Sequence, residues 1–145
     1  MPEVLIMPAA TRLTDYDMYR HLNNVAYLTL IEAARFEAFG QHMKVDLSRY
    51  TGITAKTEIT YLKPAPFGLP LAITMSVDSL GDSSVGLHFD VVDASNHDKV
   101  FASCKIAQVT FDLQTMKPCA MPGEMRTALE KLRHVTEDEQ ETEAA

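Results

Sequence analysis

Asn24-Val-Ala-Tyr-Leu-Thr-Leu-Ile-Glu-Ala-Ala-Arg-Phe-Glu-Ala-Phe39 is the stretch that decides the fold. Its apolar residues Leu28, Leu30, Ile31, Ala33, Ala34, Phe36, Ala38 and Phe39 fall on most sides of a 3.6-residue turn. That distribution marks a helix enclosed by a domain rather than one lying on its surface. Asn23 or Asn24 supplies an N-cap, and Gly40 a C-terminal stop. The sequence on either side provides the enclosure. Residues 3–8 read as a short first strand. Ile53, Ala55, Thr57, Ile59 and Tyr61 alternate with Thr54, Lys56, Glu58 and Thr60, the period of 2 expected of a long strand with one apolar face. The pattern returns at Leu71, Ile73, Met75 and Val77, and again at Val85, Leu87, Phe89 and Val91. A fourth long strand spans about 100–111, with Val100, Ala102, Cys104 and Ile106 on one face before the apolar parity passes to Val109 and Phe111, which predicts a bulge.

The links at 64–68, 81–84 and 94–98 are short and rich in Pro, Gly, Asp, Asn and Ser, so successive strands are expected to be antiparallel neighbours. An amphipathic helix at about 123–134 turns Met125, Ala128, Leu129 and Leu132 toward the body. The predicted class is α+β: one long buried helix wrapped by an antiparallel sheet of about five strands. Residues 1–135 form a single domain and 136–145 an acidic, disordered tail. One sheet around one helix leaves edges and an outer face uncovered, which points to a homodimer at least, with a homotetramer as the next step.

The chain has 145 residues, 46% of them hydrophobic and 23% charged, close to the globular average. Its net charge is -7, of which five negative charges belong to the tail, so the body is nearly neutral. No basic cluster is long enough to neutralise a run of phosphates, which argues against nucleic acid as a partner. No apolar run approaches a membrane span, and the N-terminus lacks the pattern of a signal peptide. Cys104 and Cys119 form no CxxC or metal-type spacing, so a cytoplasmic protein with free thiols is expected.

Directly before the helix, Asp15-Tyr-Asp-Met-Tyr-Arg-His-Leu-Asn-Asn24 packs two acids, an arginine, a histidine and two asparagines into ten residues. A polar loop with an N-cap is the plain reading, but the chemistry available is specific. A helix start offers unpaired N–H groups and partial positive charge to a carbonyl oxygen that becomes an oxyanion. Asp17, partly desolvated by the apolar helix, can act as general base toward water or attack the carbonyl itself. Such a site suits thioesters, and no serine or cysteine nucleophile motif is present. Asp15, Asp17 and His21 are possible metal ligands, yet His42, His88, His97 and His134 are scattered and form no second cluster, so neither metal nor cofactor is expected. His88 reads as a solvent-face or interface residue, and Glu32 with Arg35 as a helical ion pair.

Thr14 to Leu28 and Glu32-Ala-Ala-Arg35 resemble the opening motif of hotdog-fold thioesterases, D-x-D-x-x-x-H-x-N-N-x-x-Y, as found in the 4-hydroxybenzoyl-CoA thioesterase type and the acyl-ACP thioesterases. The resemblance extends to about residues 3–112. It implies the hotdog fold and an acyl-CoA thioesterase that releases free acid and thiol. It gives Asp17 as the catalytic carboxylate, Asn24 as the residue whose backbone N–H polarises the thioester, and His21 as a third catalytic or structural group. It places Asn23 and Tyr27 against the substrate. Tyr19 and Pro64 stand where the acyl-ACP group has further catalytic residues, which sets this chain apart from the full acyl-ACP mechanism, while the thiol carrier is either CoA or acyl carrier protein. Other readings remain: an acyl-ACP thioesterase, a non-catalytic acyl-thioester-binding or scaffold protein of the same fold, and a hydratase, whose own motifs are absent here.

Overall fold

A computed structural model describes residues 3–133, so the acidic stretch 136–145 and His134 lie outside the described residues. The first helix, α1, runs Asn24–Glu37 and passes without a break into a π-helical turn, Ala38–His42. Gly40, expected to end the helix, instead sits inside that turn, with Leu47 so close that a Cβ would lie 3.0 Å from its Cδ1. The chain leaves the turn through Lys44, whose φ of 55° breaks the helical path. Burial is also more one-sided than expected. Ala26, Tyr27, Leu30, Ile31, Ala34 and Arg35 face the sheet, whereas Val25, Leu28 and Phe36 stay exposed.

Five strands wrap the buried side: β1 (Leu5–Ala9), β2 (Tyr50–Tyr61), β3 (Leu71–Leu80), β4 (Ser84–Asp93) and β5 (Asn96–Asp112). A two-residue β6 (Lys117–Pro118) pairs with β5. The order is β1-β3-β4-β5-β2, with every pairing antiparallel. This is the helix-in-sheet arrangement of the hotdog fold. Ile73, Met75 and Val77 of β3 and Leu87, Phe89 and Val91 of β4 are fully buried toward α1, each stabilising the fold by roughly 1.5–3 kcal/mol. The second helix, α2 (Gly123–Lys131), closes one end with Met125 and Leu129.

Two expectations are corrected. The links at 81–84 and 94–98 do join antiparallel neighbours, but β2 and β3 lie apart in the sheet, so residues 62–70 form a strap that crosses the fold. The strap finds its backbone partners in the loop before α1: Leu22 N–H donates to Ala65 O and Phe67 N–H to Arg20 O, both at 2.9 Å. From Ala102 onward the inward parity of β5 does not change: Ala102, Cys104 and Ile106 are followed on the same face by Gln108, Thr110 and Asp112, all buried. The irregularities lie elsewhere, in β5 at Phe101, where Val91 of β4 pairs with Ala102 but Val92 with Val100, and in the partner strand β2 between Thr54 and Lys56. On the inner face of β5 Gln108 meets Arg35 and Asp112 accepts from the Gln114 N–H, while the fully buried Thr110 hydroxyl has no partner among the described residues.

Candidate active site

Asp17 shapes its own loop. Its Oδ1 accepts from the N–H of Tyr19 at 2.9 Å and of His21 at 3.3 Å, while its backbone N–H donates to His21 O at 3.0 Å. A short carboxylate that folds back on its own backbone is what a tight polar turn requires. Arg20 completes the turn at a φ of 64° and lays its guanidinium 5.4 Å from the Phe67 ring centroid. Tyr16 meets the same ring edge-on at 4.9 Å. Strap and loop therefore hold each other by backbone bonds and by aromatic contact.

The two acids of the loop have different surroundings. Asp15 is the buried one, and Arg12 satisfies it twice, from its N–H at 2.7 Å and its Nη2 at 2.9 Å. Those bonds hold the Asp15 carboxyl below the usual range. Asp17 is exposed, so the helix does not desolvate it within one chain, contrary to expectation. Among the described residues nothing donates to its Oδ2, which is left open to water or substrate.

At the start of α1 the backbone donors are taken one by one. Leu22 N–H goes to Ala65 O, Asn23 N–H to Asp15 O at 2.7 Å, Val25 N–H to the Asn23 side chain at 3.0 Å and Ala26 N–H to Asn23 O at 2.9 Å. Asn24 N–H alone of the five meets no acceptor among the described residues. Its carbonyl accepts from the Tyr61 hydroxyl at 2.9 Å, which ties the helix start to the end of β2.

A cleft of about 310 Å³ joins these groups, lined by Asp17, His21, Asn24 and Tyr27 together with Tyr61 and Lys63. Four of the five expected site residues thus line one space. Asn23 does not: it caps the helix and lines a separate cleft with Asp15 and Thr29. Tyr27 is 2% exposed, and burial pushes its hydroxyl pKa up, partly offset by a hydrogen bond with the Ala65 backbone. Its ring stands edge-on to Tyr61 at 5.3 Å. Tyr61 reads in sequence only as one more residue on the apolar face of β2. Its place in the cleft follows from the strap, which no local pattern announces. Among the described residues no three His, Cys, Asp or Glu side chains converge as metal ligands would.

This arrangement brings a free backbone N–H, an open carboxylate, an imidazole and an ammonium into one cleft. The model of a family described as the thioesterase-like superfamily matches residues 11–129. The long-chain acyl-CoA thioesterase FadM of Escherichia coli is 29% identical over 119 residues, covering 80% of this chain and 89% of that protein. The PA5185 protein of Pseudomonas aeruginosa superposes with a TM-score of 0.83 at 24% identity, over 92% of this chain and 94% of its own. Slr0204 of Synechocystis, a 1,4-dihydroxy-2-naphthoyl-CoA thioesterase, superposes with a TM-score of 0.75 at 15% identity, over 90% and 98%.

Proposed function

The chain belongs to the thioesterase-like superfamily, and from that membership we propose that it hydrolyses an acyl-CoA thioester, with Asp17 and the Asn24 N–H as the working pair. The observation that carries this reading is the shared cleft, where an open carboxylate oxygen and the one unpaired backbone donor of the helix start lie together. Asp17 draws a proton from water as the water oxygen adds to the thioester carbonyl. The carbonyl oxygen becomes an oxyanion held by Asn24 N–H at the positive end of α1. The tetrahedral species then collapses, the C–S bond breaks, and the proton passes from Asp17 to the departing CoA thiolate. Attack by Asp17 itself gives the same products through an acyl-aspartate anhydride that water then opens. His21 orients or shares the proton. Tyr27 packs against the acyl group, and Asn23 acts through its cap. FadM and Slr0204 carry CoA in their names, which supports CoA over a carrier protein as the leaving thiol.

A second copy completes the molecule. β2 is an open sheet edge with Ile53 49% exposed, and Leu28 and Phe36 add exposed apolar surface on α1. Burying that seam in a homodimer, or in a tetramer of two dimers, removes both the edge and the apolar surface. No helix among the described residues is long and apolar enough to cross a membrane, and the free thiols of Cys104 and Cys119 fit the reducing cytoplasm.

The test is thiol release from short, long and aromatic acyl-CoAs. Asp17→Asn is expected to lower kcat by at least about 100-fold at unchanged fold. An Asp17→Asn protein with full activity would remove Asp17 from the mechanism, and tight acyl-CoA binding without turnover by the wild type would make the protein a binder. Single turnover in ¹⁸O-water separates base from nucleophile. A base puts the label directly in the product acid, whereas an acyl-aspartate opened at its Asp17 carbonyl leaves unlabelled oxygen in the first product and carries the label on Asp17.

A further inference from the structure

Asn24 carries the backbone N–H that meets no acceptor among the described residues, yet the two peptide units that join at its Cα are otherwise bonded. In the first unit the Asn23 carbonyl accepts from Ala26 N–H at 2.9 Å. In the second, Val25 N–H donates to the Asn23 side chain at 3.0 Å, and the Asn24 carbonyl accepts from the Tyr61 hydroxyl at 2.9 Å. Planar peptide units turn against each other only about φ and ψ of the residue between them. Holding both units therefore fixes the direction in which the free Asn24 N–H points.

These bonds differ in what they fix. Those of Asn23 and Ala26 lie inside one helical turn and would travel with it. Leu22 N–H and Asn23 N–H tie that turn to the strap and the loop, through Ala65 O and Asp15 O. Tyr61, 37 positions from Asn24 in the chain, ties it to the sheet. Its mount is rigid: the Tyr61 backbone pairs with Ala102 of β5, and its ring stands edge-on to Tyr27 at 5.3 Å. Tyr61 and Asn24 line the same cleft, so the bond between them sets where the helix start stands relative to the end of β2.

The same bond has little to do with stability. Tyr61 is 44% exposed, and water can replace its hydroxyl on the Asn24 carbonyl at small cost. Water does not supply a fixed position, and an oxyanion donor depends on position. We propose that Tyr61 is a positioning residue for the hydrolysis, its hydroxyl holding Asn24 so that the Asn24 N–H is aimed at the thioester carbonyl in the cleft. This role rests on the hydrolytic reading of the cleft and acts through Asn24.

Tyr61→Phe keeps the ring and its contact with Tyr27 and removes the hydroxyl alone. For an acyl-CoA that the wild type cleaves, kcat is expected to fall roughly 10- to 100-fold, with KM within about two-fold and Tm within about 4 °C of the wild type. A second readout is the infrared carbonyl band of an acyl-CoA analogue in which CH₂ replaces the thioester sulfur. This ketone is not hydrolysed, so its band reports donation by Asn24 N–H whatever Asp17 does. Binding to the wild type is expected to lower the band frequency, and Tyr61→Phe to return most of that shift at unchanged affinity. A hydroxyl that serves stability alone would change Tm and leave the band where the wild type has it. An unchanged kcat in Tyr61→Phe, an unmoved band, or collapse of its fold would each overturn the proposal. Activity lost in Asp17→Asn but kept in Tyr61→Phe overturns it alone and leaves hydrolysis standing, whereas a wild type that releases no thiol overturns both.

Discussion

Replacing Asn23 by Ala distinguishes a cap from a substrate contact. Asn23 takes part in three hydrogen bonds at the helix start: its N–H to Asp15 O, its C=O from Ala26 N–H and its side-chain Oδ1 from Val25 N–H at 3.0 Å. The first two belong to the backbone and survive in Ala. Only the third is lost, and it is exposed, so the cost is that of one N-cap, about 1 kcal/mol. For a chain of this size that corresponds to a Tm lower by about 2–4 °C, measured at fixed protomer concentration because association adds its own stability. Asn23→Asp keeps the acceptor and adds negative charge at the positive end of α1, so it should restore the Tm. In both variants KM for acyl-CoA should stay within about two-fold, since Asn23 does not line the cleft of Asp17. An unchanged Tm in Asn23→Ala together with a ten-fold rise in KM would refute this reasoning and put the side chain on the substrate.

His88 Nε2 lies 2.9 Å from Asp90 Oδ1, and that hydrogen bond, with the charges of Asp90 and Asp78, raises the His88 pKa despite its partial burial. A raised folded pKa contributes stability that is full below the unfolded value of about 6.5 and is lost as pH rises through the folded value. The urea midpoint of His88→Gln should therefore fall furthest below the wild type under about pH 6.5 and approach it at higher pH. A gap independent of pH would assign the difference to packing. Burial pushes the Cys104 thiol up to about 11, so a disulfide reagent at neutral pH should titrate Cys119 in the native protein and reach Cys104 only on unfolding. Leu129 of α2 is fully buried, and Leu129→Ala should cost about 2–5 kcal/mol in denaturant unfolding. Ile53→Asp places a charge on the open β2 edge and should shift the mass measured by light scattering from dimer to monomer, which a chain that is monomeric from the outset would not show.

The sequence showed those parts of the fold that are locally encoded. The helix from Asn24, its cap and the alternations of β3 and β4 stand where their periods put them, because each depends on residues a few positions apart, whereas the bulge between Thr54 and Lys56 splits the apolar face of β2 and leaves Ile53 exposed. The crossing of 62–70 was not legible, since strand order is set by which edges meet and not by composition. The misread parity of β5 has a similar origin. Gln108, Thr110 and Asp112 look like surface residues, and only Arg35, a distant residue on α1, makes the inner place tolerable for the first of them. At the site, the turn around Asp17 and the cap at Asn23 follow from short-range rules, but the partnership of Asp17 and Asn24 with Tyr61 and Lys63 exists only once the strap is in place. The exposure of Asp17 was likewise hidden, because an apolar helix next in sequence says nothing about which way a loop carboxylate points.

The strap has a consequence for the order in which the molecule assembles. The bonds from Leu22 to Ala65 and from Phe67 to Arg20 join segments about forty residues apart, and β2 must find β5 across β3 and β4. Such long loops close late and slowly compared with the β3–β4 and β4–β5 hairpins. The central hairpins and α1 can be well formed while the Asp17 loop still has no partner. In a refolding experiment, far-ultraviolet circular dichroism should therefore recover before thioester cleavage does, and the amides of Leu22 and Phe67 should be among the last to gain protection from solvent exchange.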